Sequence, residues 1–366
     1  MLKRLYAERD GAPNGNKRIC ASRRDFPRLF AVAKRLLFKG SIIVHMKKAE
    51  SLEHTMNDIR ALKIQGKSNV RKAAVLALKK SVSESRAKTL VAFRRELQRH
   101  CLDVLKARPT EPETRTALRI ILKAGSLHSR DLQEVKHHVL SVVRNYEKDR
   151  AEAMEKIALY GSRLIEKGDT LLTHCHSSTV EHIFKKAKSK IKMVYCTETR
   201  PLFQGRVTAA NLASAGIPVT LIVDSAADKF MHPVDKVFVG CDAVLSNGSI
   251  VNKIGTTHVA MSAKKHHNPF FACTSSHCFD PATYFGFEEK IEERSPDEVW
   301  KERPKKVHIR NPAFDVVDAF YVQAIVSELG VFDPENFAME MYNRLELGTR
   351  QHKFMGLLDS IRERKA

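Results

Sequence analysis

Gly168-Asp-Thr-Leu-Leu-Thr-His-Cys-His-Ser-Ser-Thr179 is the stretch on which the fold turns. Its apolar run gives way to small and polar residues, the pattern of a buried strand ending in a loop that opens a helix near Ser177. Three later blocks have the same character: Thr197-Glu-Thr-Arg-Pro201, Gly240-Cys-Asp242 and Asn247-Gly-Ser-Ile-Val-Asn-Lys-Ile-Gly-Thr256. Between them, short apolar runs at 171–172, 193–195, 219–223, 237–239, 270–272 and 322–326 alternate with helix-length stretches at 177–188, 205–215, 226–231 and 256–266. That alternation predicts an α/β fold, a doubly wound, mostly parallel Rossmann-like sheet domain over 168–350. Open sheets of this kind hold ligands beyond the carboxyl ends of their strands, where all four blocks fall. No GxGxxG follows the first strand, so no dinucleotide cofactor is indicated.

Upstream the rhythm differs. Over 46–167 apolar residues recur at spacings of three and four, in Ala73–Leu78, Leu90–Leu105, Leu118–Leu122 and Leu132–Ile165, which predicts an N-terminal helical domain. Arg108-Pro-Thr-Glu-Pro112 interrupts it, because proline cannot continue a helix interior. Gln65-Gly-Lys-Ser68 is a second break, with Ser68 placed to cap the next helix. Residues 1–45 form a basic leader and 351–366 a basic tail. The acids Glu8, Asp10 and Asp25 speak against an organellar transit peptide, and Met46 is the expected start, the leader being upstream translation or a disordered tail.

The 366 residues, 43% hydrophobic and 29% charged, have the composition of a globular protein with one large domain or two smaller ones. No apolar run approaches the roughly 18 residues that would cross a bilayer. Lys and Arg exceed Asp and Glu by 21. The excess reads as spread along the chain without a zinc-finger, helix-turn-helix or aromatic-basic signature, so nucleic acid is not the expected partner. Seven cysteines without a CxxC pair indicate neither a disulfide framework nor a zinc ribbon and fit a reducing cytoplasm. His174-Cys175-His176 does not suit a metal, since successive strand residues point to opposite faces.

Cys175 ends a strand immediately before a helix start, where the helix N-terminus and neighbouring cations would depress a thiol pKa and yield a nucleophile or base. The alternative is a small buried hydrophobe. Asp242 ends Lys236-Val-Phe-Val-Gly-Cys241 and would face the same crevice if the two strands are neighbours, as a general acid or else as a structural acceptor. Ser177, Ser178 and Thr179 offer hydroxyls and amides at a helix start, an anion site. Arg200, Arg206 and Lys253 beside Asn252 add cations suited to phosphate.

At these residues the chain resembles the family that joins the translation initiation factor 2B alpha, beta and delta subunits, methylthioribose 1-phosphate isomerase and archaeal ribose 1,5-bisphosphate isomerase. The likeness runs from about Met46 to Leu347 and rests on Leu172-Thr-His-Cys-His-Ser177, Thr197-Glu-Thr-Arg-Pro201, Asn247 through Thr256, and Asn311-Pro-Ala-Phe-Asp315. It looks closest to the archaeal isomerase branch. The resemblance implies Cys175 and Asp242 as the catalytic pair, substrate contacts from Arg108, Ser177, Asn252 and Lys253, no metal or nucleotide cofactor, and dimers assembled into hexamers. The family's Arg-Gly-Ala-Gly phosphate loop stands here as Gln65-Gly66-Lys67-Ser68, and a substrate-binding lysine falls at Cys278.

The resemblance implies an aldose-ketose isomerase taking ribose 1,5-bisphosphate to ribulose 1,5-bisphosphate. The partners expected are a phosphorylated sugar and further copies of the chain. The alternatives are a non-catalytic initiation factor 2B-like regulatory subunit and a methylthioribose 1-phosphate isomerase.

Overall fold

The computed structural model describes residues 51–345 apart from 62, 65 and 108–111; the leader, the tail, Gln65 and Arg108 lie outside the described residues. The described residues form one compact unit. It begins with five helices, α1 (Leu52–Arg60), α2 (Lys67–Glu84), α3 (Leu90–Ala107), α4 (Pro112–Gly125) and α5 (Leu132–Arg163). Ser51 and Asp131 cap α1 and α5 through their side chains. The expected cap at Ser68 moves to Gly66, at φ 84°, with Lys67 already helical. The entry to α2 needs a positive φ, and glycine adopts it without the Cβ clash that serine would meet.

α5 spans about 48 Å at 1.5 Å per residue and serves two cores. Val135, Val139, Val143 and Tyr146 pack among the helices with Phe93, Leu97 and Ile121, whereas Ile157 joins Phe184, Val194 and Phe238 beside the sheet.

The sheet half continues β1 (Asp169–Thr173), α6 (Ser178–Lys186), β2 (Ile191–Thr197), α7 (Gln204–Ser214), β3 (Val219–Ile222), α8 (Ala227–Phe230), β4 (Lys236–Gly240), β5 (Ala243–Val244), β6 (Ile250–Lys253), α9 (Thr256–Lys265), β7 (Phe270–Cys273), β8 (Phe314–Val317), β9 (Ala324–Ser327), β10 (Gly330–Phe332) and α10 (Pro334–Arg344). One seven-stranded sheet runs β10-β9-β7-β4-β1-β2-β3. Every pairing is parallel except β9 with β10. Both faces are covered: Leu172, Val237, Val239 and Ile325 enter one core, Leu171, Phe238, Phe271 and Val326 the other. This explains why the strands are apolar throughout instead of alternating.

From β1 the chain winds outward through β2 to β3, then returns and winds the other way through β4, β7 and β9. β1 and β4 are therefore hydrogen-bonded neighbours at the topological switch point.

Two features depart from expectation. Ile250–Lys253 is a strand, and with β5 and β8 it makes a small antiparallel sheet. Its partner β8 lies some sixty residues on, and local periodicity carries no information about so distant a pairing. The basic excess is also uneven, because residues 51–167 hold 25 Lys and Arg against 14 Asp and Glu, while 168–345 hold 20 against 21. An anion at the strand ends must therefore be met by particular local cations, not by a basic sheet domain.

Phe238 is fully buried, with Phe184 and Phe271 at centroid distances of 5.8 and 4.9 Å. Phe238→Ala should cost about 3–5 kcal/mol, read as a lower urea midpoint at unchanged slope.

Candidate active site

Because β1 and β4 are adjacent and parallel, the loops beyond them open side by side. Cys175 stands two residues past β1 and Asp242 two past β4. The backbone at Cys175 is left-handed, φ 67°, an uncommon state for a non-glycine residue that costs about 1–3 kcal/mol. Two threonines hold it. The Cys175 amide donates to Thr199 Oγ1 at 2.9 Å, and the Thr208 hydroxyl donates to the Cys175 carbonyl at 3.0 Å. Thr199, itself at φ 63°, is fixed by Asp224, whose two carboxylate oxygens accept from the Thr199 and Arg200 amides at 2.7 Å each.

The thiol is not the activated thiolate that its place before α6 predicted. Burial pushes it up to about 11, with the carboxylates of Asp242 and Asp224 adding to the shift; Lys253 and the His176 amide only partly oppose it. The helix begins at Ser178 with Ser177 as its cap, so Cys175 stands two residues before the cap and not within the first turn.

Ser177, Gly240 and Asn252 converge from three elements. A Cβ placed on Gly240 would sit 2.8 Å from Ser177 Oγ and 3.8 Å from Asn252 Oδ1, so only glycine lets β4 pass beneath them. Ser178 follows as the first residue of α6, and Thr179 is buried. Asn252 is 5% exposed and donates to Thr256 Oγ1 at 3.0 Å. Lys253, partly exposed at the end of β6, has its ammonium 5.1 Å from the Phe314 ring centroid. From behind, Asp315 Oδ2 accepts the Gly255 and Thr257 amides at 2.8 and 3.0 Å and fixes this turn.

Lys67 reaches the same strand ends from the helical half, but its ammonium turns inward. It donates to the Cys241 carbonyl at 2.5 Å, Cys278 Sγ at 3.2 Å and Thr274 Oγ1 at 3.3 Å, with Glu113 Oε2 at 3.9 Å. Burial alone would lower its pKa; the Cys278 sulfur and the carboxylates of Glu113 and Asp242 reverse that and hold the cation charged. Glu113 is wholly buried, yet Arg150 at 2.6 Å, Lys67, and Arg71 at 3.0 Å keep it ionised, at about 2, against its desolvation. Ser68 follows in α2, partly buried. Arg200 is exposed and donates to the Val299 carbonyl at 3.0 Å, while Arg206 pairs with Glu198 at 2.8 Å.

Two contributors carried no motif in the sequence: Asp224 acts on backbone amides, and Glu113 lies far from the strand ends in sequence. Asp315 ends the Asn311–Asp315 block, but its hold on the Gly255 and Thr257 amides has no local signal. In the sequence His174 stands out only within the His174-Cys175-His176 run; in the fold its ring bonds Thr197 and Ile254, while that of His176 bonds Thr208 and Glu181. The Asn247-Gly248 end of the fourth block lies away from the crevice. It borders a separate groove of about 620 Å³ with Phe320, Gln323 and Pro334, at the start of β6 and β9.

Among known proteins, the ribose 1,5-bisphosphate isomerase of Thermococcus kodakarensis is 35% identical over 286 residues, covering 75% of this chain and 89% of that protein. The structure of 5-methylthioribose 1-phosphate isomerase from Pyrococcus horikoshii matches with a TM-score of 0.68 at 29% identity, over 80% of this chain and 88% of its own. The translation initiation factor eIF-2B from the same organism matches with a TM-score of 0.68 at 25% identity, over 78% and 98%. The model of the initiation factor 2 subunit family matches residues 63–334, nearly all of the helices and sheet described above, and the chain belongs to that family.

Proposed function

We propose that the chain is an aldose-ketose isomerase converting ribose 1,5-bisphosphate to ribulose 1,5-bisphosphate, with Cys175 and Asp242 as its proton-transfer pair. The observation that carries this reading is their placement at the ends of adjacent parallel strands at the switch point, close enough for the Asp242 charge to act on the thiol. Relatives named as enzymes of this reaction support it.

The chemistry needs one proton delivered and one removed. Asp242 donates to the furanose ring oxygen as the bond from that oxygen to C1 breaks. Cys175, as thiolate, takes the proton from C2 to leave a phosphoenolate. Proton return at C1 and loss of the 2-hydroxyl proton complete the ketose. The phosphates are held by Lys253, Asn252, Ser177 and the amides of Ser178 and Thr179 at the start of α6. The same proposal includes assembly as a homodimer or hexamer in the cytoplasm. No described helix is long and apolar enough to cross a membrane.

One observation favours a second substrate. The Lys67 ammonium is spent on protein partners, which leaves Lys253 as the cation of the described crevice residues and suits a sugar with a single phosphate, such as methylthioribose 1-phosphate.

Incubating the protein with each sugar phosphate and following the ketose by NMR separates the two readings. Turnover of neither, with tight binding to an initiation factor, would favour a regulatory subunit. Cys175→Ser and Asp242→Asn should each lower kcat at least a thousandfold in a folded protein, and a fully active Cys175→Ser ends the assignment.

Two pH measurements follow from the raised thiol. Iodoacetamide labelling of Cys175, partly exposed while the other described cysteines are buried, should still be accelerating at pH 10, with a midpoint near 11. The labelling rate should also rise about tenfold per pH unit below that midpoint, because only the thiolate reacts; a rate that is already level at pH 9 would show a thiol that is not raised.

A further inference from the structure

His174 is 2% exposed and both ring nitrogens are engaged. Nε2 lies 2.9 Å from the Ile254 carbonyl, which can only accept, so Nε2 carries the hydrogen. Nδ1, 2.7 Å from Thr197 Oγ1, then accepts from the hydroxyl. Burial lowers the imidazole pKa and keeps this neutral tautomer in place. The Ile254 carbonyl, Asp224 and Asp315 favour its charged form, and Lys253 opposes it.

The three atoms so joined belong to three loops at the strand ends. His174 precedes Cys175 beyond β1, Thr197 ends β2, and Ile254 follows Lys253 beyond β6. The turn at Ile254 and Gly255 lies directly on the ring: Gly255 is left-handed at φ 99°, and a Cβ there would be 3.0 Å from His174 Cε1 and 3.1 Å from Nε2. Asp315 grips that turn from its other side through the Gly255 and Thr257 amides.

We propose that His174 is a positioning residue, a neutral imidazole that ties the turn bearing Lys253 to the turn bearing Cys175 and so sets the distance from the ammonium to the thiol. Among the described residues Lys253 is the main side chain that favours the thiolate; Asp242 and Asp224 oppose it. If the Ile254 link is cut, the Lys253 turn keeps Asp315, the Ile254 amide's bond to the Ala313 carbonyl at 3.1 Å and the Thr256 hydroxyl's bond to the Lys253 carbonyl, but it loses its tie to the Cys175 loop, and the ammonium can shift relative to the sulfur. The inference rests on the isomerase reading only for its kinetic arm.

The test uses the full chain with His174→Asn and His174→Gln. A glutamine amide reaches the Nε2 position and can still donate to the Ile254 carbonyl; an asparagine amide reaches only Nδ1. The asparagine variant should label with iodoacetamide at pH 9 at least threefold more slowly at Cys175, its midpoint displaced upward, and show a KM raised about tenfold with a smaller change in kcat. The glutamine variant should stay within twofold of the parent in both. A folded asparagine variant with the parental labelling profile overturns the proposal, since a purely structural histidine would lower Tm without moving the thiol. Should the asparagine variant not fold, Thr197→Val, which removes only the hydroxyl bonded to Nδ1, must give the same upward displacement at smaller size; an unchanged profile there overturns it equally. Labelling needs no substrate, so a parent protein that turns over neither sugar phosphate, with the labelling shift intact, would sink the isomerase reading and leave the role of His174 standing.

Discussion

The crevice exists because β1 and β4 lie side by side while their connections wind to opposite ends of the sheet. Crossovers between parallel strands are right-handed, so a sheet that grows outward in both directions from a central pair sends its first helices to opposite faces. The carboxyl ends of that pair are left uncovered. Everything assigned to the site depends on this gap. Cys175 and Asp242 enter it because they follow the two strands, and Ser177 because it caps the helix leaving β1. Asn252 and Lys253 arrive because the small sheet lays β6 across the end of β4, where the Asp242 amide donates to the Val251 carbonyl at 2.8 Å.

Electrostatics in the gap are governed by burial more than by helix ends. An exposed thiol before a helix would be expected to ionise readily; here desolvation outweighs that influence and leaves Lys253 as the compensating side chain. On the helical side burial has the opposite outcome. Glu113 is surrounded by Arg150, Lys67 and Arg71, and their charges keep its carboxyl ionised inside the protein despite its burial. A buried network of this kind is weak evidence for net stability, because its ions have left water. Its consequence is geometric: Lys67, at the start of α2, is drawn to the end of β4, which locks the helical half to the strand that presents Asp242.

The backbone pays locally for this arrangement. Cys175 and Thr199 both occupy left-handed conformations at successive strand ends, and each is held by a side chain from a neighbouring loop, Thr199 for the first and Asp224 for the second. Non-glycine residues remain in such states only where surrounding bonds over-determine them, a pattern typical of sites where a side chain must project at a particular angle.

The amino-acid sequence by itself determined the helical and sheet halves, the succession of apolar runs from Leu171 to Val326, and the placing of Cys175 and Asp242 beyond strand ends. Each of these follows from local periodicity and from the rule that parallel strands present their carboxyl ends together. Four things were decided only by the tertiary structure. The pairing of β6 with β8 joins segments sixty residues apart. Lys67 finds its partners at Glu113 and Cys241, which no spacing connects to it. The thiol of Cys175 is protonated because packing has removed its water, and His174 is a link between turns because three loops meet on it. Desolvation and long-range contact are properties of the packed chain, so neither is written in the neighbourhood of the residue they govern.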